Sequence, residues 1–145
     1  MKERDVVELL ADARQGGVYF VDMRDRTALI EAANTLGFAV LPVDCIGCRG
    51  KAAVIAAFAQ ALRFPDWFGD NWDALADSLG DLSWLPASGY LLLLEHFDPW
   101  RAGEPEEFDL LLDVLNDTAT RWIGEGRPFW VLLPVPAAQL AAIAD

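Results

Sequence analysis

Two uninterrupted apolar runs, Tyr90-Leu91-Leu92-Leu93-Leu94 and Phe129-Trp130-Val131-Leu132-Leu133, constrain this chain more than any other feature. Both have strand length, and neither shows the alternation of a strand with one wet face. Between them Pro105 opens a helical stretch with Phe108, Leu111, Leu112, Leu115, Ala119 and Trp122 at three-four spacing, and Gly124-Glu125-Gly126 closes it. Solid apolar strands alternating with helices are the signature of a parallel sheet covered by helices on one face or on both.

The same alternation runs along the rest of the chain. Val6, Leu9, Leu10 and Ala13 predict a helix over 5–14, closed by Gly16-Gly17, and a strand follows at 18–22. A helix is expected over 27–36, stopped by Gly37, then a strand over 38–43. The stretch 51–62 is apolar nearly throughout, as in a helix pressed into a core. Residues 70–79 read as a helix, 89–95 as a strand, 98–104 as a polar loop, 105–123 as the longest helix and 129–133 as the last strand. A corner at 134–136 and a helix over 137–143 form a short tail. No repeat, linker or low-complexity block divides the 145 residues, so a single α/β domain is expected, with a small, mainly parallel sheet of three or four strands packed with helices.

Charge narrows the partners. Eleven Lys and Arg face 23 Asp and Glu, giving a net charge of -12, which repels nucleic acid and attracts cationic proteins. Residues 1–5 lack the apolar core of a signal peptide, and the apolar stretches 52–62 and 90–94 are too short to span a bilayer, so a soluble, cytoplasmic protein is expected. Two cysteines make no disulfide framework.

The acids concentrate between Phe64 and Asp81. Trp72, Leu75, Ala76 and Leu79 recur at helical spacing and can point inward, while Asp70, Asp73 and Asp77 fall on the opposite side, with Asp66 just before this ridge and Asp81 just after it. Asp70 as N-cap and Asp73 as a first-turn acid have ordinary roles at a helix start. Asp77 has none: it sits four residues from Asp73, where a like charge costs about 0.2–0.5 kcal/mol. Trp67 and Phe68 occupy a loop bounded by Pro65 and Gly69, where aromatics either staple the helix or contact a partner. Gly69 permits a tight turn or a close backbone approach.

Pro65-Asp66-Trp67-Phe68-Gly69-Asp70-Asn71-Trp72-Asp73-Ala74-Leu75-Ala76-Asp77 resembles the barstar family motif of Pro, acid, two aromatics, Gly, x, Asn, x, Asp-Ala-Leu, x, Asp. The likeness continues from about 38 to 133, which leaves 1–37 as an extension adding a strand and helices, and 134–145 as the tail. What the resemblance implies is a barstar-like fold and an inhibitor without catalysis or cofactor, an antitoxin that plugs the basic cleft of a barnase-like ribonuclease. By position, Asp73 and Asp77 match the acids that enter the cleft, with Asp77 the central anchor. Trp67, Phe68 and Gly69 match the loop that packs on the enzyme, and Asn71 a residue that braces it. Three positions depart from the pattern: Ala76 stands where a tryptophan is frequent, Trp67 where a phenol is, and Arg121 where the long helix is expected to carry an acid.

Other signals compete. Cys45-Ile46-Gly47-Cys48 is a C-x-x-C between a strand and a helix, the setting of a thioredoxin-like thiol redox site, with Arg49 and Lys51 nearby to lower a thiol pKa. A barstar-like fold that binds a cationic partner other than a nuclease is the further alternative. Two thiols and one histidine cannot complete a four-ligand zinc site, so no metal is expected. His96 reads as a structural histidine, Glu104, Glu106 and Glu107 as a solvated helix start, and Trp84, Trp100, Trp122 and Trp130 as core or rim.

Overall fold

A computed structural model describes residues 3–65 and 71–144. In chain order they form α1 (Glu3–Ala11), β1 (Gly17–Asp22), α2 (Arg26–Thr35), β2 (Ala39–Asp44), α3 (Lys51–Leu62), α4 (Trp72–Asp81), β3 (Tyr90–Glu95), α5 (Asp98–Gly103), α6 (Pro105–Gly124), β4 (Phe129–Val135) and α7 (Ala137–Ala144), with short 3-10 turns at Ala13–Gln15 and Met23–Asp25. The strands make one four-stranded sheet in the order β1-β4-β3-β2. Every pairing is parallel, with Gly17 opposite Trp130, Tyr90 opposite Phe129, and Ala39 opposite Tyr90.

The solid apolar runs are the two central strands, and helices cover both of their faces. On the first face Tyr90, Leu92 and Leu94 of β3 and Phe129, Val131 and Leu133 of β4 pack with α3, α4 and α6, through residues such as Phe58, Leu75, Leu79, Leu111 and Leu115. On the second face Leu91, Leu93, Trp130 and Leu132 meet Val6 and Leu10 of α1 and Leu29, Ala32 and Ala33 of α2. Each fully buried Leu on either face contributes on the order of 1.5–3 kcal/mol. An ion pair fastens the second layer to the sheet, with the Arg26 guanidinium donating to both Glu95 oxygens at 2.8 and 2.9 Å.

Three expectations from the sequence need correction. The segment 98–104 is not a loop but α5, because Pro99 suits a first helical turn and Trp100 buries itself in the core beneath an otherwise polar surface. The N-terminal helix stops at Ala11 rather than 14, since the Asp12 carboxylate accepts from the Arg14 N–H at 3.1 Å and turns the chain into a 3-10 segment. Pro134 is no corner but part of β4. Pairing with β3 ends at Leu132, and beyond it β4 pairs only with β1, so one side of Pro134 has no neighbouring strand to supply.

Among the described residues no helix is long and apolar enough to cross a membrane.

Candidate protein-binding face

α4 begins at Asn71, whose side-chain oxygen accepts from the Ala74 N–H at 2.8 Å. The cap is therefore Asn71 and not Asp70, and the helix runs two residues later than its sequence pattern suggests, to Asp81. Asp73 lies in the first turn, where a carboxylate complements the helix dipole. Leu82 ends the helix in a left-handed conformation (φ 49°), a strained state for a branched residue that its burial holds in place.

Two indoles fix the rotation of α4. At its start Trp72 Nε1 donates to Glu107 Oε2 of α6 at 3.0 Å, and near its end Trp122 Nε1 donates to the Leu79 carbonyl at 2.9 Å. Leu75, Ser78 and Leu79 are then buried, and Trp72 and Ala76 half-buried. Glu107 is accordingly part of the helix packing rather than of a solvated helix start.

This leaves Asp73, Asp77 and Asp81 exposed, four residues apart. They form a ridge about 12 Å long with neighbouring Cβ atoms about 5–6 Å apart. Among the described residues no lysine, arginine or histidine pairs with any of the three, whereas Glu8, Asp12, Asp22, Asp44 and Glu95 each have a cationic or imidazole partner. Beyond Asp81 an open cleft of about 610 Å³ is lined by Gly80, Ser83, Trp122, Glu125 and Arg127 among others.

Arg121 of α6 stands beside this ridge. A methyl on Gly80 would come within 2.7 Å of Arg121 Nη1, so the glycine makes room for the guanidinium. Nothing in the local pattern at Gly80 signals that role, because the arginine arrives from a helix forty residues on. Of the remaining candidates, Asp66, Trp67, Phe68, Gly69 and Asp70 lie outside the described residues.

The C-x-x-C pair lies at the end of β2. Cys45 is buried, Cys48 is half-buried, and the Cys48 thiol donates to the Ala53 carbonyl at 3.6 Å. Burial pushes Cys45 up to about 12, with Cys48 and Asp44 adding to the effect, and burial also raises Cys48. These surroundings favour the neutral thiol, the opposite of what a redox nucleophile needs. His96 holds its ring Nδ1 2.7 Å from Asp44 Oδ1, which joins the ends of β2 and β3 and keeps the Asp44 carboxyl below the usual range. Among the described residues no group of three or more His, Cys, Asp or Glu could hold a metal ion.

The sequence model of the family described as Barstar (barnase inhibitor) matches residues 38–134. No curated protein matches the chain at a significant level. Among solved structures, the ORC2 protein of Aeropyrum pernix in its ADPNP-ADP complexes is similar, with a TM-score of 0.62 and 16% identity over 97% of this chain. The chain spans 40% of that protein's length, and the likeness concerns the fold alone.

Proposed function

This chain belongs to the barstar family of barnase inhibitors, and on that premise we propose that it inhibits a ribonuclease by laying the acidic ridge of α4 into the enzyme's basic cleft. One observation carries the reading: Asp73, Asp77 and Asp81 stand exposed in a row without a cation of their own among the described residues. Acids within one helical turn of each other repel, and towards the C-terminal end of a helix the dipole opposes them. Asp73 serves the helix start, but Asp77 and Asp81 contribute nothing to the protein's own stability from their places in this row. An enzyme cleft that binds successive RNA phosphates presents cations at comparable spacing, and carboxylates can take the phosphates' places.

In this reading Asp77 is the central anchor and Asp73 its neighbour, while Ala76 between them leaves room that a larger side chain would fill. Asp66, Trp67, Phe68, Gly69 and Asp70 supply the loop that packs on the enzyme, and Asn71 braces it. The protein acts as an antitoxin or immunity protein, as one domain, without catalysis. A basic ribonuclease, if a neighbouring reading frame encodes one, is the first enzyme to test.

Ribonuclease activity titrated with the chain should fall stoichiometrically. Asp77→Ala is expected to weaken binding by at least about 2 kcal/mol, about thirtyfold, as for a desolvated charge at an interface centre. Glu106→Ala, at an exposed position on α6, should change it less than about twofold. Equal effects of the two substitutions would refute the ridge as the binding face, and tight binding to a basic protein without nuclease activity would refute the ribonuclease.

A further inference from the structure

The two edges of the sheet are built differently. β2 carries Pro42, exposed near its middle, which removes a backbone donor and blunts that edge against pairing. β1 reads Gly-Val-Tyr-Phe-Val-Asp, with neither proline nor lysine, and is rich in the residue types that favour strand pairing. It pairs with β4 on one side and ends the strand order on the other. Such an edge presents a row of N–H and C=O groups to any strand that can reach it.

An apolar groove of about 330 Å³ runs along β1 on the second face of the sheet, lined by Leu9, Leu10, Tyr19, Leu29, Trp130 and Asp25 among others. Three of the five large apolar side chains that are exposed among the described residues belong to this region: Leu9 at 39%, Tyr19 at 43% and Met23 at 51%. An edge strand without proline or lysine, a groove and projecting apolar side chains thus coincide on one side of the molecule.

Charge selects the occupant. Residues 1–37 carry seven acids and five bases, against sixteen and six in residues 38–145. Around β1 the acids are largely held by the chain's own arginines, Asp12 by Arg14 at 3.1 Å and Asp22 by Arg24 at 2.6 Å. A cationic partner is drawn to the other, acidic parts of the surface. A second copy, itself strongly negative, meets the least repulsion where the charge is nearly balanced.

We propose that the chain forms a two-fold dimer through β1, paired antiparallel with its own copy about an axis perpendicular to the sheet. The two four-stranded sheets then become one continuous sheet. Antiparallel pairing sets Met23 and Asp25, at the C-terminal end of one β1, beside Arg14 and the Leu9-Leu10 part of the groove at the N-terminal end of the other. Met23 fills the groove of the partner, and the Asp25 carboxylate, which makes no ion pair among the described residues, joins the partner's Arg14 beside the Asp12 that Arg14 already holds. Residue i contacting j and j contacting i is the requirement of an isologous interface. α4 packs on the first face of the sheet and the groove lies on the second, so both acidic ridges stay free.

Sedimentation equilibrium of the full chain, from low to high micromolar concentration at physiological salt, tests this. The expected mass rises from 16.0 kDa toward twice that value. Tyr19→Lys and Met23→Lys, each retaining the native circular dichroism spectrum, should hold the chain at the monomer mass. Leu110→Lys, which places the same charge at an exposed apolar position on α6, should leave the dimer intact. Amide exchange of β1 in the unaltered chain should slow as concentration rises. A monomer at every concentration, a dimer that survives both Tyr19→Lys and Met23→Lys, or β1 exchange independent of concentration would overturn the proposal.

Discussion

At Cys45 a buried thiol lies three residues from a half-buried one, in a spacing that in other settings marks a redox centre. Burial decides the chemistry here. With Cys45 pushed up to about 12 and Cys48 raised as well, the surroundings of both sulfurs disfavour the thiolate, and the thiolate is the attacking species. A disulfide reagent such as dithionitrobenzoate at pH 8 should therefore modify the native chain far more slowly than free cysteine, with both thiols appearing at once on adding denaturant. Rapid native labelling of Cys45 would show a thiolate that the surroundings do not favour. The spacing of the two cysteines was legible in the sequence, whereas the burial of Cys45 was not, because it depends on β2 lying against β3 and on the hydrogen bond from the Cys45 N–H to the Glu95 carbonyl at 2.8 Å. The exposure of Asp73 and Asp77 was legible for the converse reason. It follows from helical period alone, once Leu75 and Leu79 are assigned to the core.

Helix ends depend on contacts that local pattern does not contain. Asp70 and Asn71 are both good caps, and Asn71 takes the role where Trp72 reaches Glu107, thirty-five residues away. Removing the acceptor with Asn71→Ala should cost about 1 kcal/mol and lower the denaturant midpoint with its slope unchanged, while Asn71→Asp should restore most of the loss. A changed slope would mean that more than the cap had been disturbed. At the other end of helices the chain uses indoles. Trp130 donates to the Leu10 carbonyl, Trp84 to Leu62 and Trp122 to Leu79, at 3.0, 2.8 and 2.9 Å, so the last turns of α1, α3 and α4 each have a carbonyl satisfied by a tryptophan from elsewhere. The sequence marks these tryptophans as core or rim residues and contains no sign of their partners. It likewise hides α5, where Asp98, Arg101 and Glu104 look like a loop and one inward indole, Trp100, anchors a helix.

Across the whole molecule the parallel sheet was legible because β3 and β4 are central and covered on both faces, which leaves no polar position to confuse their reading. Where β1 joins was not, since its register with β4 links residues more than a hundred positions apart and nothing in either segment names the other. Charge is legible at this scale without any structure, and it leads to a kinetic expectation. A body of net charge -12 attracts a basic enzyme over distances set by the screening length, which contracts from about 30 Å at 0.01 M salt to about 3 Å at 1 M. If the proposed inhibition holds, the association rate with a basic ribonuclease should therefore fall at least about tenfold across that range, while the dissociation rate, set in that proposal by desolvated contacts at the ridge, changes much less. Neutralising the α6 surface with Asp109→Asn and Asp113→Asn should flatten the salt dependence and leave the dissociation rate in place. Asp77→Ala should do the reverse, raising the dissociation rate with a nearly unchanged salt slope. Stopped-flow mixing at several salt concentrations separates the two, and an association rate independent of salt would mean that the partner does not respond to this field.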